Sequence, residues 1–375
     1  MLRRLSLVLG ALVLLVCGCG RIHALTPASK AIAAADSLQS AFYSGNGMWN
    51  GAGYWDRAEA LGVILDAYQL THQPKWLTVI QQVYVANQQD HTPGDYISSY
   101  MDDEQWWALD WVRAWDLTGN IAYLNSAKAV FTNVTENWGD GCGGGVWWND
   151  SHTYKNAIPN ELFLLLATQL YERTPGGTTY LNWAKEEANW FIQSGMINSE
   201  GLVNDGLTSS CTNNNATTWT YNQGVILAGM TQLYQLTADK LYLTTAETIA
   251  NATIKHLVGP GDVLYEPCEA TNHCDSDQYQ FKGIFIRYLW WMYNVDPNPT
   301  YKAFLETNLN AIWTKDRTTG DLFGLFWDGP APVPIAVTVG EDTAAAAALT
   351  STAIVLPSRP RIGPAASSAQ GGERG

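Results

Sequence analysis

Apolar positions along the chain recur at helical spacing, in stretches that end in an aromatic residue and a short polar turn before a second amphipathic stretch begins. The turns are Tyr68-Gln69-Leu70-Thr71, Trp115-Asp116-Leu117-Thr118, Tyr171-Glu172-Arg173-Thr174, Tyr234-Gln235-Leu236-Thr237 and Tyr293-Asn294-Val295-Asp296. They lie 47 to 63 residues apart, which is room for two helices and a loop. Similar aromatic and leucine pairs open the helix that follows, at Lys75-Trp76-Leu77, Ala122-Tyr123-Leu124, Thr179-Tyr180-Leu181 and Leu241-Tyr242-Leu243. The pattern predicts five helical hairpins, flanked by helices over Pro27 to Tyr43 and over the alanine-rich Glu341 to Val355. Twelve helices closing into a ring give an all-α fold, an (α/α)6 toroid. Its inner helices should be the more apolar set. They should open at one end onto a cleft made by the long connections Gly139 to Tyr154, Asn198 to Thr220, Gly259 to Gln280 and Thr318 to Val333, because loops of that length in a compact domain usually carry function.

Composition narrows the partners. The chain has 375 residues, 46% of them apolar, and a formal net charge of -14, so it builds a real core and offers no basic stripe to nucleic acid. A neutral or cationic substrate fits better, and 17 Trp and 18 Tyr supply flat rings of the kind that sugar faces stack on, besides those that fill the core. Residues 1–24 read as a secretory signal: Arg3 and Arg4, an apolar run from Leu5 to Val16, then small residues to Ala24. That run is too short to span a bilayer, so no stable membrane insertion is expected. Cys19 loosely resembles a lipoprotein cleavage site, a competing reading of the same segment. The expected domain layout is the signal, a catalytic domain over residues 25–355, and a disordered Pro-, Ser-, Gly- and Ala-rich tail over 356–375. Export predicts disulfides among Cys142, Cys211, Cys268 and Cys274. Three pairings are formally available, and Cys268 with Cys274 and Cys142 with Cys211 are the expected ones. Sequons at Asn133, Asn149, Asn215 and Asn251 suit a secreted glycoprotein.

The candidate chemistry centres on Tyr100-Met101-Asp102-Asp103-Glu104-Gln105-Trp106-Trp107, where consecutive carboxylates open an apolar-periodic helix. Acidic residues in a first turn often only cap free N–H groups. A pair of carboxyls is also what glycosidic bond cleavage requires, one to protonate the leaving oxygen and one to attack the anomeric carbon. Other polar and aromatic clusters sit at corresponding places: Cys142-Gly143-Gly144-Gly145-Val146-Trp147-Trp148, Lys155-Asn156-Ala157-Ile158-Pro159-Asn160, Tyr221-Asn222-Gln223-Gly224 and Gln280-Phe281-Lys282-Gly283. The glycine run permits close backbone approach to a ligand, and it lacks the Lys-Ser/Thr ending of a phosphate loop. His72, His91, His152, His256 and His273 are scattered without metal spacing, and Asp275 and Asp277 lack the rest of a calcium loop, so neither metal nor cofactor is expected.

Taken together, these segments, from the Asp-Asp-Glu-Gln-Trp-Trp stretch through Phe281-Lys282-Gly283-Ile284-Phe285, resemble glycoside hydrolase family 76 over nearly all of residues 26 to 355. The resemblance implies a secreted, retaining endo-α-1,6-mannanase without a metal, acting on mannan or a mannose-containing polysaccharide. It also implies Asp102 as nucleophile and Asp103 as general acid and base. The residues themselves do not order the two. Substrate contacts are expected from Trp106, Trp147, Trp148, Lys155, Asn156, Asn160, Tyr221, Asn222, Gln223 and Lys282. Competing readings are a cell-wall transglycosidase of the same family, an inactive carbohydrate-binding protein on the same toroid, and a sugar epimerase or unsaturated-uronide hydrolase. The epimerase would want catalytic histidines.

Overall fold

A computed structural model describes residues 25–354 apart from 90–93, 140, 332 and 334–335, so the expected signal segment and tail lie outside the described residues. Among these residues there are twelve α-helices and no extended strand: α1 (Pro27–Phe42), α2 (Asp56–Thr71), α3 (Pro74–Ala86), α4 (Met101–Thr118), α5 (Ile121–Glu136), α6 (Ala157–Arg173), α7 (Thr178–Gln193), α8 (Thr220–Thr237), α9 (Lys240–His256), α10 (Phe281–Val295), α11 (Pro299–Ala311) and α12 (Val339–Ala353). The even-numbered helices pack side by side in the order α2, α4, α6, α8, α10, α12, and α12 returns against α2 to close the ring. The odd-numbered helices lie outside, α3 on α2, α5 on α4, α7 on α6, α9 on α8, α11 on α10 and α1 on α12. Burial separates the two rings as the apolar pattern predicts. Helix α6 is buried without a break from Ala157 to Leu170, whereas its outer partner α7 buries only Ala184, Glu187, Ala188, Trp190 and Phe191.

The recurring turn has a physical signature. At the ends of α2, α4 and α8, the hydroxyls of Thr71, Thr118 and Thr237 donate to the carbonyls of Ala67, Ala114 and Leu233, and accept from the N–H groups of Gln73, Asn120 and Asp239. A left-handed residue, His72, Gly119 or Ala238, then reverses the chain. Each hydroxyl thus serves the helix end and the next N–H at once, which is why the same polar turn is written into each of these hairpins.

Two glycines set how tightly the inner ring packs. A β-carbon on Gly224 would stand 2.7 Å from Phe285 Cα, and one on Gly283 would stand 2.3 Å from the Ala344 carbonyl oxygen, so α8, α10 and α12 meet backbone to backbone. The two arginines inside the ring are paired. Arg287 meets Glu59 at 2.7 Å, and Arg113 pairs with Asp66 and with Asp110. Both expected disulfides are present, Cys142–Cys211 and Cys268–Cys274. Of the sequon asparagines, Asn133 turns its amide inward onto Glu104 at 2.9 Å, while Asn215 and Asn251 are exposed.

Candidate active site

The first residues of the inner helices and the long connections before them meet at one end of the ring, around a cavity of ≈ 470 Å³. Its wall is made by Trp55, Tyr100, Asp102, Asp103, Trp106, Trp148, Tyr154, Asn156, Asp205, Trp219, Tyr221, Asp275, Asp277, Gln278 and Phe281. No lysine, arginine or histidine is among them. Among the described residues, five of the six inner helices contribute through themselves or the loop that precedes them, and α12 does not.

Helix α4 places its carboxylates because its start is fixed from outside. Tyr100 and Asn149 form an antiparallel bridge, and the Met101 N–H donates to the Trp148 carbonyl at 2.9 Å. This juxtaposition brings the Trp148 indole N–H to Asp102 Oδ2 at 3.0 Å, while the Asp103 N–H reaches Asp102 Oδ1 at 3.1 Å. Asp102 therefore holds donors on both oxygens at a helix N-terminus, an arrangement that favours its ionised form. Burial works against it, and the balance puts the Asp102 carboxyl above its ordinary range, at about 6. Asp103 receives no side-chain or backbone donor among the described residues. Burial first, then the charges of Asp102, Asp277 and Asp56, push it to about 8. The surroundings of the two therefore differ: Asp102 holds a donor on each oxygen and Asp103, among the described residues, on neither, a difference that favours the proton on Asp103.

Glu104, next in sequence, takes no part. It turns away to accept from the Ser98 N–H at 2.8 Å and from the Asn133 amide, pinning the loop before α4. Burial raises its carboxyl to about 8.

Aromatic rings complete the wall. Trp55 stacks on Trp106 with centroids 5.8 Å apart, Tyr221 lies flat on Phe281 at 3.8 Å, and Trp219 meets the same Phe281 edge-on. The Trp55 indole N–H donates to Asp277 at 3.0 Å, so the connection before α10, which carries the Cys268–Cys274 disulfide, is held against the start of α2. Across the cavity, Asp205 accepts from the Tyr154 hydroxyl and from the Asn156 amide.

Of the residues expected at the site, Asp102, Asp103, Trp106, Trp148, Asn156 and Tyr221 line the cavity, and Trp147, Lys155, Asn160, Asn222, Gln223 and Lys282 do not. Most of the second group are clamps. Asn160 is fully buried and holds both the N–H and the carbonyl of Val146, at 2.6 and 3.1 Å. Gln223 does the same for Val203, at 2.8 Å each way. The Lys155 ammonium binds the carbonyls of Gly139 and Gly145 and lies 3.9 Å from the ring centre of Trp147, which stacks on His152. Lys282 ties Glu269 at 2.7 Å to the Leu325 carbonyl at 2.6 Å. Asn222 is fully buried. The glycine run approaches rings rather than a ligand: β-carbons on Gly144 and Gly145 would collide with Trp138 and Trp190.

Four aromatic residues of the wall that were not among the expected contacts share a position. Trp55, Tyr100 and Trp219 are the cap residues of α2, α4 and α8, and Phe281 is the first residue of α10. An aromatic residue at the start of alternate helices is the signal that finds them. Asp205 carries no such mark.

Comparison with known proteins agrees with this architecture. Residues 27–361 match glycosyl hydrolase family 76. The mannan endo-1,6-α-mannosidase DCW1 of Saccharomyces cerevisiae is 28% identical over 76% of this chain and 70% of its own length. Two Schizosaccharomyces pombe relatives are each 30% identical, and the match spans 60% and 61% of their length. A Listeria innocua protein of known structure superposes with a TM-score of 0.78 at 27% identity, covering 88% of this chain and 97% of that one. An α-1,6-mannanase of Salegentibacter, solved as an inactive variant with two consecutive aspartates replaced and α-1,6-mannotetrose bound, superposes at 0.76 with 22% identity, covering 88% and 99%. With the fold, the cavity and a match over most of its length in agreement, the chain belongs to glycosyl hydrolase family 76.

Proposed function

We propose that this chain is a secreted, retaining endo-α-1,6-mannanase in which Asp102 is the nucleophile and Asp103 the acid and base. The observation that carries the reading is the unequal pair at the start of α4: one carboxylate held by two N–H donors, its neighbour, among the described residues, without any. In the first step an Asp102 oxygen bonds to the anomeric carbon, the bond from that carbon to the leaving oxygen breaks, and the Asp103 proton goes to the leaving oxygen. In the second, water attacks the same carbon, gives its proton to Asp103, and frees Asp102. The names of the yeast relatives and the mannotetrose bound to the Salegentibacter enzyme support α-1,6-mannan as substrate. A cavity whose described lining holds no cationic side chain and is rich in indole suits a neutral sugar chain. Two disulfides in the described part of the chain support an oxidising, extracytoplasmic setting.

The test is product analysis on unbranched α-1,6-mannan beside Asp102→Asn, with NMR of the first anomer formed. Short manno-oligosaccharides released by the parent alone, first as the α-anomer, sustain the proposal. Initial β-anomer overturns retention, lengthened chains make the protein a transglycosidase, and mannan bound without turnover makes it a binding protein.

A further inference from the structure

Asp205 is not accounted for by the two-carboxylate chemistry, and it is built with unusual care. It sits half-buried in the connection between α7 and α8. Its carbonyl accepts from the Ala157 N–H at 2.8 Å, and the next residue, Gly206, bridges Asn156, so its backbone is tied to the start of α6. Its side chain is oriented as firmly. The Tyr154 hydroxyl and the Asn156 amide both donate to Oδ2, and Tyr154 is itself held by the Asn214 amide at 2.9 Å. Asn156 is fixed in turn, its own oxygen capping α6 through the Ile158 N–H at 3.0 Å. The Cys142–Cys211 disulfide fastens together the two loops that carry these residues.

The consequence is asymmetric. All the side-chain donors that reach Asp205 fall on one oxygen, and among the described residues no donor reaches Oδ1, although Asp205 forms part of the cavity wall. A carboxylate oxygen held in place with open lone pairs is an acceptor waiting for a hydroxyl. Tyr221 stands within electrostatic reach of both Asp205 and Asp102, so the open acceptor belongs to the same chamber as the nucleophile.

We infer that Asp205 is a specificity-determining residue, accepting a hydrogen bond on Oδ1 from one ring hydroxyl of the sugar bound beside Asp102, with Tyr154 and Asn156 as its positioning residues. This rests on the glycan-cleaving reading of the site. The substitution Asp205→Asn suits the test because the Tyr154 and Asn156 donors would keep the new carbonyl oxygen on their side and turn the NH2 group into the cavity. The packing is retained and the acceptor is replaced by a donor.

The experiment measures kcat/KM on α-1,6-mannotetraose and on analogues lacking a single ring hydroxyl, for the parent and for Asp205→Asn. In the parent, loss of one particular hydroxyl should cost about 10- to 100-fold, the range of a hydrogen bond to a charged acceptor. In Asp205→Asn the intact substrate should slow by a similar factor, and the penalty for that one hydroxyl should shrink below about 3-fold while the others keep theirs. A variant that is slower yet discriminates as the parent does would show a merely structural role and overturn the inference. So would a parent indifferent to every hydroxyl, a result that needs no variant to fold. If the parent cleaves no mannan, the hydrolase reading fails separately, and calorimetric binding of the same sugars to the parent and variant decides the role of Asp205: a hydroxyl-specific loss confined to the parent supports it, and its absence overturns it.

Discussion

The starts of α4 and α6 look alike in sequence and do opposite work. Both put consecutive polar residues ahead of an apolar helix. At α4 Asp102 and Asp103 face the cavity, and a neighbouring loop holds the first of them through the Trp148 indole. At α6 the direction of support reverses: Asn160 reaches out of the helix to hold the loop, and the start of α8 repeats this with Gln223. A polar helix entrance therefore has two uses in a toroid, to present a reactive group or to anchor the connection that frames one. The difference lies in burial: Asn160, Gln223 and the valines they hold are fully buried, whereas Asp102 and Trp148 are partly exposed.

The largest expected effect is at α4. Asp102→Asn and Asp103→Asn should each lower kcat/KM on α-1,6-mannan by roughly 10³-fold or more, with thermal melting showing a folded protein. Comparable activity in either variant would end the assignment of the pair.

The clamps should behave inversely. Asn160→Ala and Gln223→Ala each strand a buried N–H and a buried carbonyl, and denaturant titration should show a loss of roughly 2–3 kcal/mol. The kcat of the folded protein should stay within a few-fold of the parent. A clamp variant that kept its stability and lost turnover would break the comparison.

A third effect is set by pH. Burial raises Glu187 and Glu266, each to about 8, and each lies outside the cavity wall. Between the ordinary glutamate range and 8 the folded chain holds protons that the unfolded chain has released, so stability is full below the unfolded pKa and falls as pH rises through the folded one. Each such proton contributes up to about 1.4 kcal/mol per pH unit. Melting should occur at a lower temperature at pH 8 than at pH 5, and Glu187→Gln or Glu266→Gln should flatten that slope. A slope unchanged in both variants would refute these two glutamates as its origin.

The smallest effect separates two neighbours. Trp148→Phe removes a donor from Asp102, so its carboxyl should rise and the acid limb of the pH–rate profile should move to higher pH by up to about one unit. Trp147, which stacks on His152, touches no carboxylate of the pair, and Trp147→Phe should leave the limb in place.

The hairpins and the ring were legible because they repeat: the Tyr-x-Leu-Thr turns recur wherever a threonine hydroxyl must close one helix and admit the next. Asp102 and Asp103 were legible because consecutive carboxylates at a helix start are conspicuous. Lys155 and Lys282 misled, since a cation near a helix start reads as a ligand contact, and only the fold shows that their charges are consumed by Gly139, Gly145, Leu325 and Glu269. Asp205 was invisible for a related reason. Its partners Tyr154 and Asn156 lie 51 and 49 residues away, so nothing in its local pattern marks it.

Ring closure has a consequence for how the protein is made. Helix α12 fills the gap between α10 and α2 and covers α1, so the barrel stays open until nearly the whole domain has left the ribosome. Until then the flanks of α2 and α10 that α12 will cover are bare. A chain synthesised from its N-terminus must therefore keep its oldest segments soluble while waiting for its youngest, and truncation within α12 should yield aggregate rather than a slightly smaller folded domain.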